Sequence, residues 1–176
     1  MSANASQPGR VLVFTGDGKG KTTAALGLAL RAHGHGLRVC IIQFIKSRTD
    51  VGEVMAAEAL GSGIELLPMG AGFVRQEGGT PADRARAAEA LELARARMSE
   101  CDVLVLDEIN GAVKLKLISV GDVLGLIRDK PEQLHVVLTG RDAHPSVIDA
   151  ADTVTNMTSV KHAYDAGVTA QRGIDF

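Results

Sequence analysis

The amino-acid sequence predicts an α/β domain, with a mostly parallel sheet of about six strands and helices on both of its faces. Three observations lead there. Short apolar, β-branched runs alternate with helix-forming stretches along the chain, the pattern of repeated βαβ units. The runs are apolar throughout rather than alternating apolar and polar, as strands buried on both faces must be. A segment rich in glycine and lysine, Thr15 to Thr23, joins the first apolar run to the first helical stretch.

In chain order, strands are expected at Val11–Phe14, Val39–Ile45, Ile64–Pro68, Val103–Leu106, His135–Thr139 and Thr153–Asn156. Each is short and apolar or β-branched, and most are bounded by Gly, Asp or Asn. Helices are expected at Thr22–His33, Val51–Leu60, Ala82–Ser99 and Val120–Arg128, with a short one at Pro145–Ala150. The long one is announced by Thr80-Pro81-Ala82-Asp83. Thr80 can cap, Pro81 suits the first helical position, and Asp83 favours the positive end of the helix. Gly70 to Thr80 (GAGFVRQEGGT) reads as a mobile surface loop. Met1–Arg10 reads as a flexible N-terminal segment and 11–176 as one domain.

Composition narrows the class. At 176 residues and 45% hydrophobic, the chain can bury a proper core. Aromatics make up only 3% with no Trp, so that core must be built from Leu, Ile, Val and Ala. A net charge of −2 argues against a nucleic-acid partner recognised by bulk charge. No run reaches the length of a membrane span, and the first ten residues lack a signal-peptide core, so a cytoplasmic protein is expected. Cys40 and Cys101 have no metal-ligand spacing and read as small buried packing groups.

Strand, glycine-rich loop, Lys-Thr and helix form the architecture of a phosphate-binding loop. Gly16, Gly18 and Gly20 let backbone N–H groups converge on one anion beside a helix N-terminus. Asp17, Lys19 and Thr23 complete the loop. Lys21 is expected to neutralise phosphate oxygens, and the Thr22 hydroxyl to ligate Mg²⁺. Thr15 stands where such loops usually carry their first glycine, and Lys19 is an extra cation. The plain alternative, a glycine-rich turn, leaves two lysines crowded without an anion.

A second signal is Val103-Leu104-Val105-Leu106-Asp107-Glu108, an apolar run ending in two acids. Such a strand is expected beside the loop, with Glu108 as metal ligand and Asp107 supporting or sharing that role. Taken alone, the pair equally well caps the next turn. Thr139-Gly140-Arg141 ends another strand. Arg141 is either a phosphate contact or a surface ion pair with Asp142, and His144 is a cap rather than a catalyst. Residues 157–176 (MTSVKHAYDAGVTAQRGIDF) are too irregular for a core element, and are either a frayed end or a cover over the sheet edge.

Together these segments resemble the P-loop ATP:corrinoid adenosyltransferases. The matching stretches are TGDGKGKTTAALGLALRAHGHG, VCIIQFIK, Gly52-Glu53, GAGF, VLVLDEIN, HVVLTGR, ADTVTNM and KHAYDAGVTAQRGIDF, nearly the whole chain. The resemblance implies a single RecA-like P-loop domain. It would transfer the 5′-deoxyadenosyl group of ATP to a reduced Co(I) corrinoid and release triphosphate, with ATP reversed in the loop relative to ordinary NTPases. Co(I) is itself the nucleophile, which agrees with a chain offering no Ser-His or Cys-His pair. It further implies that Lys161 and His162 lie near the nucleoside. Phe73 would press on the lower corrin face, leaving a four-coordinate Co(II) that is easier to reduce. Relatives carry Trp two residues after that Phe. Here the position is Arg75, which either reaches the corrinoid's amides and carboxylates or stays solvated. A homodimer and a reduced flavoprotein electron donor are family expectations, and with only Met1–Arg10 before the first strand, a reduced N-terminal cover over a partner's site.

Two rivals use the same loop. A small-molecule kinase needs a base and an arginine-rich lid, whereas Arg84, Arg86, Arg95 and Arg97 fall on the solvated face of an Ala-rich helix. A RecA-like ATP-dependent switch would hydrolyse ATP to ADP and bind a partner, for which the sequence holds no motif.

Overall fold

The computed structural model describes residues 7–72, 74 and 77–176. Six strands, β1 (Val11–Thr15), β2 (Val39–Gln43), β3 (Ile64–Pro68), β4 (Val103–Asp107), β5 (His135–Thr139) and β6 (Thr153–Asn156), form one sheet in the order β3-β2-β4-β5-β1-β6. Every pairing is parallel. All strand C-termini therefore lie along one edge, where open α/β sheets take their ligands.

Each strand supplies both faces, because side chains alternate across a pleated sheet. Val39, Ile41, Val103, Val105 and Val137 pack under α1 (Lys21–Gly34) and α2 (Gly52–Leu60). Cys40, Ile42, Leu104, Leu106, Val136 and Leu138 pack against the layer holding α3 (Pro81–Arg97), α5 (Val120–Asp129) and α6 (Pro145–Asp149). α1 meets the sheet through Ala25, Ala29 and Ala32, whose small side chains let the helix approach closely. Burial pushes the Cys40 thiol up to about 12 and the Cys101 thiol up to about 11, so both are inert packing groups, as expected.

The helix starts follow local chemistry. Thr80 and Asp83 form a reciprocal capping box at α3, and Ser119 and Asp122 form another at α5. His144 caps α6 by accepting from the Ser146 N–H. Two elements were not foreseen. α4 (Ile109–Lys114) is a six-residue helix containing Gly111, too short to show a helical period. A 3₁₀ turn at Ala163–Ala166 lies in the exposed tail. β2 ends at Gln43 rather than Ile45: after Phe44 donates to the Asp107 carbonyl, the chain turns away to meet Gly70. Residues 1–6 lie outside the described residues. Of the expected flexible segment, Gly9 is held at both its amide and its carbonyl, by Glu132 and Lys130 respectively. No helix among the described residues is long and apolar enough to cross a membrane.

Candidate active site

The loop between β1 and α1 closes on itself through Lys21. Its Nζ donates to the carbonyls of Gly16 (2.6 Å) and Gly18 (2.7 Å), and the side chain is buried. Burial pulls its ammonium below the ordinary lysine value, with Glu108 opposing. Gly16 and Gly20 have φ of 95° and 118°, the left-handed region that glycine tolerates. Gly16 is also pressed by the chain leaving β6, since a Cβ there would lie 2.2 Å from Asn156 Oδ1. Thr15, the departure from the usual loop, ends β1 in strand conformation. Its hydroxyl accepts from the Ala143 N–H (3.1 Å), tying the turn after β5 to the loop strand.

The sheet contributes the second half. The acid strand β4 does not adjoin β1, because β5 runs between them. Its acidic end nevertheless lies beside the loop, as expected, because Asp107 reaches across to Thr22. Its Oδ1 accepts from the Thr22 hydroxyl (2.8 Å) and the Thr139 hydroxyl (2.7 Å). Its Oδ2 accepts from Gln43 Nε2 (3.1 Å) and pairs with Lys46 Nζ (3.4 Å). Asp107 is 1% exposed, and its lone pairs are spent on protein donors. Glu108 differs. It is half-buried, lines the cavity, and has left-handed backbone (φ 61°) as the residue before α4. Burial, with Asp107 next to it, pushes its carboxyl above the usual range, against the pull of Lys21, Lys46 and Arg141. Burial works against the charge on Lys46, but Asp107 and Glu53 outweigh it and hold that ammonium above its ordinary value.

These groups face a cavity of about 610 Å³ lined by loop residues 17–23, by Lys46, Glu53, Glu108 and Arg141, and by the tail. The tail is therefore more than a frayed end. After β6, Met157 exchanges backbone hydrogen bonds with Thr15 and Gly18. Residues 173–176 then return to the cavity, where Asp175 pairs with Lys19 (2.6 Å) and Arg48 lies 5.3 Å over the Phe176 ring.

Asp17 to Thr23, Glu108 and His162 all line this one cavity. Gly16 and Asp107 stand behind its wall, and Lys161 is exposed and does not line it. Phe73 and Arg75 lie outside the described residues. Arg141 reaches Asp17 (3.9 Å), while Asp142 pairs with Lys114, so the ion pair within Arg141-Asp142 does not form. The α3 arginines Arg86, Arg95 and Arg97 pair with glutamates, as a solvated face does. Sequence reasoning gave no role to Lys46, Gln43 or Thr139, and left residues 173–176, as part of the tail, between a frayed end and a cover. A signal existed for two of them. Gln43, Asp107 and Thr139 are polar residues ending the adjacent apolar strands β2, β4 and β5 at the ligand-binding edge.

A Gly-Lys-Thr loop opening α1, facing an acid-tipped strand across one intervening strand, defines a nucleotide-binding P-loop protein of the RecA-like class. The fold is similar to that of a KaiC-like protein from Pyrococcus horikoshii, with a TM-score of 0.57 and 20% identity, over 86% of this chain and 73% of that one. Residues 7–176 match the family described as ATP:corrinoid adenosyltransferase BtuR/CobO/CobP. The corrinoid adenosyltransferase of Pseudomonas aeruginosa is 41% identical over 96% of this chain and 84% of its own length. Those of Escherichia coli K12 and Salmonella typhimurium are 40% and 39% identical, each over 96% of this chain and 86% of their own. The chain belongs to the ATP:corrinoid adenosyltransferase family, whose function is the ATP-dependent adenosylation of corrinoids.

Proposed function

We propose that this protein transfers the 5′-deoxyadenosyl group of ATP to the Co(I) centre of a reduced corrinoid. The cobalt electron pair attacks C5′, a cobalt–carbon bond forms, the C5′–O bond breaks, and triphosphate leaves with the bonding pair. One observation carries this reading: in a chain of this family, Lys19, Lys21, Lys46 and Arg141 converge on one cavity beside a Gly-Lys-Thr loop. A leaving group of several negative charges needs such a cradle, and fixed cations in a partly desolvated site stabilise it without reorganising. The nucleophile belongs to the substrate, so no protein base is required.

In this reading residues 16–23 hold the triphosphate, and Lys21 exchanges its loop carbonyls for phosphate oxygens. The oxygen donors at the cavity suit a hard cation. Mg²⁺ typically takes one or two protein oxygens together with phosphate oxygens, a set these donors can supply. The Thr22 hydroxyl and the Glu108 carboxylate would hold it, with Asp107 orienting Thr22. Bound there, Mg²⁺ would neutralise charge on the departing triphosphate. His162 would face the nucleoside from the cavity wall, and the neighbouring Lys161, exposed outside that wall, would reach it only if its side chain swings in. Phe73 and Arg75 meet the corrinoid. A reduced flavoprotein donor and a homodimer complete the reading and rest on the family resemblance, and a cytoplasmic setting is proposed with them.

The test is anaerobic mixing of the protein with Mg-ATP, a corrinoid and a strong reductant, followed in the visible spectrum. A light-sensitive adenosyl-corrinoid with one equivalent of triphosphate is expected. ADP formed without alkylated cobalt would sink the proposal.

A further inference from the structure

Because β5 runs between the loop strand and the acid strand, the residue that ends β5 stands between the two halves of the site. That residue is Thr139, with none of its surface exposed. Its hydroxyl makes two bonds at once. It donates to Asp107 Oδ1 (2.7 Å), the oxygen that also receives the Thr22 hydroxyl, and it accepts the backbone N–H of Glu108 (2.9 Å). Glu108 needs such support, since left-handed backbone is unfavourable for a residue with a side chain. The next residue closes the corner. Gly140, at φ 128°, packs so tightly on the start of α4 that a Cβ would lie 2.8 Å from the Gly111 nitrogen. β5 and α4 are thus clamped together, and the Thr139 hydroxyl sets how the clamp meets the two acids. Threonine suits the position because branching at Cβ restricts the rotamers that aim its hydroxyl. Valine would fill the same volume while leaving the Glu108 N–H without an acceptor and Asp107 short of a donor.

We propose that Thr139 is a positioning residue for metal-linked triphosphate binding. One hydroxyl aligns the Thr22 side chain, through Asp107, and the Glu108 carboxylate, through its backbone. The inference rests on the reading that Thr22 and Glu108 hold Mg²⁺.

The experiment is titration calorimetry of ATP binding, with Mg²⁺ and with EDTA, for the wild type, Thr139→Val and Thr139→Ser. The wild type is expected to bind ATP at least about tenfold tighter with Mg²⁺. Thr139→Val should keep the affinity measured in EDTA and lose most of the Mg²⁺-linked gain, about tenfold, the usual scale for groups that orient metal ligands. Thr139→Ser should restore most of it. A wild type without any Mg²⁺-linked gain removes the metal reading itself, and the inference with it. If the wild type shows the gain, three results overturn the positioning role alone: Thr139→Val keeps the gain, Thr139→Val weakens binding equally under both conditions, or Thr139→Ser behaves like valine. Thr139→Ala is read in the same way should the valine variant not fold.

Discussion

On the sheet side of the cavity, Lys21, Asp107 and Thr139 are buried, and hydrogen bonds among Thr22, Gln43, Asp107 and Thr139 tie α1, β2, β4 and β5 into one corner. On the tail side, residues 173–176 are exposed, and among the described residues their side chains reach the rest of the protein through the Lys19–Asp175 ion pair and the Arg48–Phe176 stack. Both walls border the same space. The difference follows from what each must do. Groups that stabilise developing charge act best when already oriented in a poorly solvated site. In the proposed function the tail wall is the side that opens more readily, since its exposed contacts are weak in water.

The contrast is open to being broken, most forcefully at Lys21. Lys21→Ala should lower adenosyl transfer by about 10²–10³-fold, the scale for removing one preorganised electrostatic group, with the circular dichroism spectrum retained. Activity within tenfold of wild type would mean that the sheet wall does not carry the charge. Glu108→Gln tests the same wall from its acidic side. Transfer should fall by about 10–100-fold while the unliganded protein becomes more stable, on the order of 1 kcal/mol. The sign follows from the raised carboxyl. Wild-type Glu108 favours folding below its unfolded value of 4.5, and that contribution is lost as pH rises through the higher folded value. The melting-temperature gap in favour of the glutamine variant should therefore open above pH 4.5 and then level off. A gap that narrows over that range would place Glu108 in a stabilising contact instead. The smallest effect is expected at the tail. Asp175→Asn should change the KM for ATP by less than about threefold and leave kcat alone, as for an exposed ion pair. A tenfold loss of kcat would make the tail as organised as the sheet wall.

Much of this was legible because the signals were local. Apolar runs separated by helical stretches marked all six strands, and Thr80-Pro81-Ala82-Asp83 marked the start of the longest helix. Gly16 to Thr23 announced the phosphate loop on spacing alone. What escaped had no local signal. Ile109–Lys114 makes under two turns and shows no period. Arg141 had Asp142 as its nearest acid in the chain, but the turn carries it to Asp17 and leaves Asp142 to Lys114. Lys46 reads as any surface lysine until β2 and β4 align in register and bring it to Asp107.

The sequence by itself determined the fold class and the phosphate loop, which rest on residue types at fixed spacing, and its resemblance to the P-loop ATP:corrinoid adenosyltransferases pointed to the family. Only the tertiary structure decided how the two acids divide. The sequence already favours Glu108 as metal ligand with Asp107 supporting or sharing that role, but no local feature shows how their surroundings differ. Their surroundings part because β5 intervenes beside β4, and Thr139 and Gln43 spend the lone pairs of one acid while the turn into α4 delivers the other to the cavity. That outcome depends on which strands lie side by side, a property of the assembled sheet and not of any one segment.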